Sequence, residues 1–202
     1  MKLLRTIFVA TLLCIVAGTS SYAQYQRKVL FEEFTAMTCP PCASLKPTVE
    51  AFAKTDNVIT VTYHQNYPAP GDPYNVLDNA VNRTRHDWYG VSGIPTCFIN
   101  GVRTSNSMAA FQADAAKYLS QQTPILITVT EDRSSTPIKV TVKVKNDGTQ
   151  DLSGVNLHTQ VLNYYSDLTN YPDVVNNQYK RYTTFDYCIM KAMPTKIGRA
   201  HV

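Results

Sequence analysis

Cys39-Pro40-Pro41-Cys42 constrains this chain more than any other stretch, because two thiols three positions apart can open and close a disulfide inside one loop. An apolar run, Val29-Leu30-Phe31-Glu32-Glu33-Phe34, leads into it. Ala43–Thr55 follows, with Leu45, Val49, Phe52 and Ala53 at roughly helical spacing. The pair therefore stands between a strand and the start of a helix, with a kink expected at Pro47. A helix start presents unpaired N–H groups and the positive end of the helix dipole, and both stabilise an anion such as the Cys39 thiolate. Lowering a thiol pKa from about 8.5 to about 7 corresponds to roughly 2 kcal/mol, within reach of one helix terminus.

The first 23 residues read as an export signal: Lys2 and Arg5 form a basic start, Ile7 to Ala17 an apolar run, and Ser21-Tyr22-Ala23 places small residues where a signal peptidase reads. The run is too short for a stop-transfer helix, and Leu13 is too large for the lipobox that would lipidate Cys14. A mature chain starting at Gln24 keeps Cys39, Cys42, Cys97 and Cys188 in an oxidising compartment, where disulfides persist. Removing Lys2 and Arg5 leaves 17 basic against 15 acidic residues, a net +2 that argues for neither nucleic acid nor an anionic membrane as partner. At the other end, residues 197–202 resemble a translated sequencing adapter, so the segment is expected to be foreign and the last domain incomplete.

Between these ends, Val58–Tyr63 is a β-branched strand, and strand, helix, strand in this order implies a parallel βαβ unit. Gln65–Asp72 reads as loop. Asn75–Tyr89 reads as one helix, with Val76, Leu77, Ala80, Val81 and Trp88 on its buried side. Strands at Ile94–Ile99 and Val102–Thr104 flank the hairpin signal Asn100-Gly101, and Ser107–Gln121 is a helix with Met108, Phe111, Ala115 and Leu119 on one face. After Pro124 the pattern becomes strand alternation: Ile125–Thr130, Ile138–Val144, Val155–Tyr164 and Tyr179–Ile189. A β-sandwich domain is therefore expected from about residue 123 to 196, after a mixed α/β domain at 24–122.

Three motifs in the right order make residues 28–121 similar to the thioredoxin family. Phe34-Thr35-Ala36-Met37-Thr38-Cys39 stands where thioredoxins carry Phe-Trp-Ala-Glu-Trp-Cys, and Pro47 stands at the family's helix-kinking proline. Trp88-Tyr89-Gly90-Val91-Ser92-Gly93-Ile94-Pro95-Thr96 resembles the family's Tyr-Gly-Ile-x-Gly-Ile-Pro-Thr segment. The resemblance implies a thioredoxin-like fold, a central mixed sheet flanked by helices, followed here by an immunoglobulin-like sandwich. It implies that Pro95 is a cis-proline facing the dithiol, with Ile94 and Thr96 lining the place of an extended substrate peptide. It also implies that Glu33, six residues before Cys39, is the buried acid that shuttles the proton of Cys42. The alternatives are a turn-forming Pro95 and a solvated Glu33. Glu32 is expected to face the other side and stay in water. Departures are Thr38 in place of a tryptophan, a longer loop before Pro95, and no histidine between the cysteines.

In this scheme Cys39, the more exposed thiol, attacks a substrate disulfide, and Cys42 resolves the mixed disulfide. Cys97 reads as a buried small hydrophobe rather than a third redox thiol, with a bridge to Cys188 left open. His64 and His86 read as surface or packing residues, Asp72 with Asp78 lacks calcium-loop spacing, and only one cysteine pair has zinc-ligand spacing, so no metal or other cofactor is expected. The export signal, the Tyr63-His64 pair, the Gly71-Asp72-Pro73 loop and Gly93-Ile94-Pro95-Thr96 together resemble the outer-membrane-protein-related family of Bacteroidetes named for a twenty-eight-kilodalton protein. That likeness implies a Gram-negative envelope location, periplasmic or outer-membrane associated. Two functions are compatible with these residues. One is an exported thiol–disulfide oxidoreductase acting on protein disulfides or on a redox partner protein. The other is a binding or adhesion protein whose Cys39–Cys42 bridge only staples the fold.

Overall fold

The computed structural model describes residues 25–77, 79–134, 136, 139–151, 159–163, 166–167, 184–185 and 188–193, with the side chains of 76–79 and of residues beyond 151 outside the description. The expected export signal, the tail at 197–202 and the burial of Val76 and Leu77 lie outside it. The chain divides into two compact units, one of residues 27–121 with 154–202 and one of residues 1–26 with 122–153.

The larger unit is built on β2 (Val29–Thr35), whose near-continuous apolar run suits a strand covered on both faces. It pairs in parallel with β3 (Val58–His64), and α1 (Pro40–Ala53) forms the crossover between them. On its other side β2 pairs antiparallel with β4 (Thr96–Ile99), which turns into β5 (Val102–Thr104) through Asn100 and Gly101, both at positive φ. The strand-helix-strand order and the hairpin are as expected. The loop after β3 leads to α2 (Pro73–Leu77) and α3 (Asn79–Tyr89), and α4 (Met108–Leu119) follows the hairpin.

Pleat alternation divides the core. Val29, Phe31, Cys97 and Ile99 point to one side, where they meet Leu45, Val49 and Phe52 of α1 and Phe111 and Ala115 of α4. The rings of Phe31, Phe52 and Phe111 lie 4.8–5.3 Å apart at this centre. On the opposite side Phe34, Val61, Tyr63 and Phe98 pack with Val81 and Tyr89 of α3.

Three expectations change. Asn75–Tyr89 is two helices rather than one, so a face counted from residue 76 does not extend to 88: Trp88 is 70% exposed and Ala80 is also exposed, while Asn82 is buried. Glu32 is fully buried rather than solvated, because α3 covers the second face of the sheet. The late strands also part company. In the smaller unit β1 (Tyr25–Gln26) pairs with β6 (Gln122–Thr123), and β7 (Ile125–Asp132) forms an antiparallel pair with β8 (Lys139–Asn146). Yet β9 (Thr159–Asn163) and β12 (Cys188–Met193) join the first sheet rather than the β7–β8 pair, giving the order β5-β4-β2-β3-β12-β9. β12 meets the outer edge of β3 in parallel, with Cys188 against Thr62. Short β10 (Ser166–Asp167) and β11 (Thr184–Phe185) pair with each other.

Candidate active site

Cys39 is the N-cap of α1, with extended backbone, and Pro40 and Pro41 occupy the first helical positions. Prolines are tolerated there because those N–H groups have no partner inside the helix. Cys39 and Cys42 are joined as a disulfide, and the Cys42 N–H donates to Cys39 Sγ at 3.2 Å. The same donor would face a thiolate after reduction. Both cysteines are only 2% exposed, so Cys39 is not the more exposed of the two: Ala36 and Ile94 pack around them.

Ile94 O lies 3.9 Å from Cys39 Sγ, and the Ile94–Pro95 peptide is cis. Ile94 is half-buried beside the disulfide. Thr96 is placed differently from the expectation of a substrate-facing side chain: it is 3% exposed, and its hydroxyl donates to Gly93 O at 2.7 Å. It braces the loop from within. Asn106, which sequence reasoning passed over, braces the loop from outside by donating to Pro95 O at 2.8 Å.

Glu33 is buried on the sheet face that carries α1, paired in register with Thr62 on one side and Cys97 on the other. Burial pushes its carboxyl up to about 7, against the opposing pull of His64, the Thr35 hydrogen bond and Lys46. An acid with this pKa can exchange a proton at neutral pH. Cys97 is a free, buried thiol, so it forms no bridge to Cys188, and burial followed by the nearby Glu33 charge pushes its pKa far up. It is an inert packing group.

Glu32, on the other face, takes Arg85 Nε at 2.7 Å, Tyr63 OH at 3.1 Å and Tyr89 OH at 2.5 Å. A buried carboxylate so fully partnered is structural. His64 and Asp72 are more than packing residues: they form a buried pair, 2.8 Å apart, beside the dithiol turn. Asp72 before Pro73 was readable as a helix cap, but its reach to that turn was not. Among the described residues no group of three or more His, Cys, Asp or Glu side chains could hold a metal ion.

No protein-family model matches the chain, and no curated protein does. Among solved structures it is similar to HBP35 of Porphyromonas gingivalis, with a TM-score of 0.62, 19% identity, and coverage of 85% of this chain and 58% of that one. The larger unit is thioredoxin-like. This chain spans less than two thirds of HBP35, and at this identity the likeness concerns the fold alone. A mutant thioredoxin from Halobacterium salinarum NRC-1 (TM-score 0.33, 21% identity, 46% of this chain, 76% of that one) and tryparedoxin I from Leishmania major (0.33, 18%, 50%, 92%) also match. Within the thioredoxin-like unit Ile94 packs on the Cys39–Cys42 disulfide and precedes the cis-Pro95, Glu33 lies buried on the sheet face that carries α1, and Thr96 supports the loop from within.

Proposed function

We propose that this chain is an exported thiol–disulfide oxidoreductase acting on protein disulfides in a Gram-negative cell envelope. The observation that carries the reading is the Cys39–Cys42 disulfide at a helix N-terminus, on the sheet face that holds a buried Glu33 with a pKa near 7. In the reducing direction the Cys39 thiolate attacks a substrate disulfide, forms a mixed disulfide and expels one substrate thiolate. Glu33 then takes the Cys42 proton, and Cys42 sulfur attacks Cys39 Sγ. That step closes the protein disulfide, expels the second substrate thiolate and leaves a proton to return to it. Two electrons pass from the protein dithiol to the substrate. Support for export is the basic start, apolar run and small residues before Gln24, and the motif resemblance to the Bacteroidetes outer-membrane-protein-related family points the same way.

One observation favours the second reading, a surface binding protein with a structural bridge: both sulfur-bearing residues are 2% exposed. An insulin-reduction assay with dithiothreitol, on the chain from Gln24 onward and on its Cys39→Ser variant, separates the two. Turnover that is lost in Cys39→Ser supports the oxidoreductase. Equal background in both, with the dithiol inaccessible to alkylation after mild reduction, supports the binding protein.

A further inference from the structure

Thiol exchange leaves His64, Asp72 and the loop between them without a role, yet their bonds converge on the turn that holds the dithiol. Asp72 Oδ2 accepts the Met37 N–H at 2.7 Å and lies 2.8 Å from His64 Nδ1. Its Oδ1 accepts the N–H groups of Tyr74 and Asn75 at 3.0 and 3.2 Å. One fully buried carboxylate thus joins the dithiol turn, the end of β3 and the start of α2. Burial pushes the Asp72 carboxyl up, but the His64 charge and hydrogen bond and the Met37 and Asn75 donors outweigh it and hold its pKa below the usual value.

Neighbouring bonds run in the same direction. Thr38 Oγ1 donates to Ala69 O at 3.1 Å, Gln65 N–H donates to Thr35 O at 2.8 Å, and Asn75 Nδ2 donates to His64 O at 2.8 Å. The loop therefore closes along the segment from Thr35 to Thr38, immediately before Cys39. In register His64 pairs with Thr35 and Thr62 with Glu33, which puts His64 and Glu33 on one sheet face.

We propose that Asp72, oriented by His64, is a positioning residue for the dithiol: it clamps the Met37 amide, fixes the Ala36–Cys39 turn and so favours the closed disulfide. Two thiols held in closing geometry have a higher effective concentration, which makes their disulfide harder to reduce. Loosening the turn lowers that concentration and shifts the balance toward the dithiol. The role matters only under the oxidoreductase reading, but the clamp is measurable without it.

The test uses the full chain and Asp72→Asn, which keeps the shape but turns one acceptor into a donor facing the Met37 N–H. Equilibration with dithiothreitol reads the thiol balance, and amide hydrogen exchange reads the turn. The expected result is exchange at Met37 and Thr38 at least tenfold faster, an unchanged β4–β5 hairpin, and a roughly tenfold shift toward the dithiol, or about 30 mV. His64→Ala should shift the same way, and His64→Gln, which retains an N–H donor, by less. These two variants carry the test should Asp72→Asn not fold. A dithiothreitol equilibrium within twofold of wild type in a folded Asp72→Asn or His64→Ala variant overturns the proposal. A wild-type chain inert toward insulin would instead overturn the oxidoreductase reading, and leave the dithiothreitol comparison intact.

Discussion

Glu32 and Glu33 are neighbours in one strand, and both are buried, but on opposite faces and with opposite electrostatics. Glu32 meets Arg85 and two tyrosine hydroxyls, so its charge is compensated. Glu33 has no such set of donors, and burial raises its pKa from 4.5 to about 7. The sign follows from linkage: between these values the folded state binds a proton that the unfolded chain releases, so stability falls as pH rises through that window. The cost is absent below about pH 4.5 and fully present above about pH 7, on the order of 3 kcal/mol. Glu33→Gln should therefore stabilise the chain by about that amount at pH 8 and by nearly nothing at pH 4, in denaturant unfolding at the two pH values. Equal gains at both would show that the carboxyl is not titrating as described. Resolution of the mixed disulfide by Cys42 should slow in the same variant. Position in the strand marked Glu33 from the motif alone, whereas the fate of Glu32 depended on a helix 50 residues later whose facing side no local pattern revealed.

At the scale of elements, α4 shows how capping and burial differ in weight. Ser107 accepts the Ala110 N–H at 3.3 Å as N-cap, while Phe111 is completely buried among Phe31 and Phe52. Ser107→Ala should cost about 1 kcal/mol and Phe111→Ala about 3–5 kcal/mol, as read from urea midpoints at constant slope. A Phe111→Ala cost no larger than that of Ser107→Ala would contradict the shared aromatic core. This helix was legible because Met108, Phe111, Ala115 and Leu119 repeat at its own period and all face the core. The helical stretch before it was not, since α2 and α3 are two helices whose faces periodicity joined into one. Trp88 then lies outward, with the Arg85 guanidinium 4.3 Å over its ring.

Across the whole molecule, the proposed export sets where the mature chain begins. β1 begins at Tyr25, two residues after Ala23, and the Tyr25 hydroxyl donates to Asp147 Oδ2 at 2.5 Å. Cleavage after Ala23 leaves this strand intact, so expression in a Gram-negative host should yield an envelope-fraction protein whose N-terminal residue is Gln24 by sequencing. Recovery in the cytosol with Met1 in place would remove the export part of the proposal. The sequence by itself determined what near neighbours decide: a dithiol at a helix start, a parallel βαβ order, the Asn100-Gly101 turn and the apolar stripe of α4. Tertiary structure alone decided the rest. Asp72 reaches the Met37 amide across 35 residues, and β12 pairs onto β3 with β9 beside it. Turn and helix signals act through backbone conformation within a few residues. A buried charge or a free strand edge takes whichever partner packing brings to it, and that choice is made only once the chain is folded.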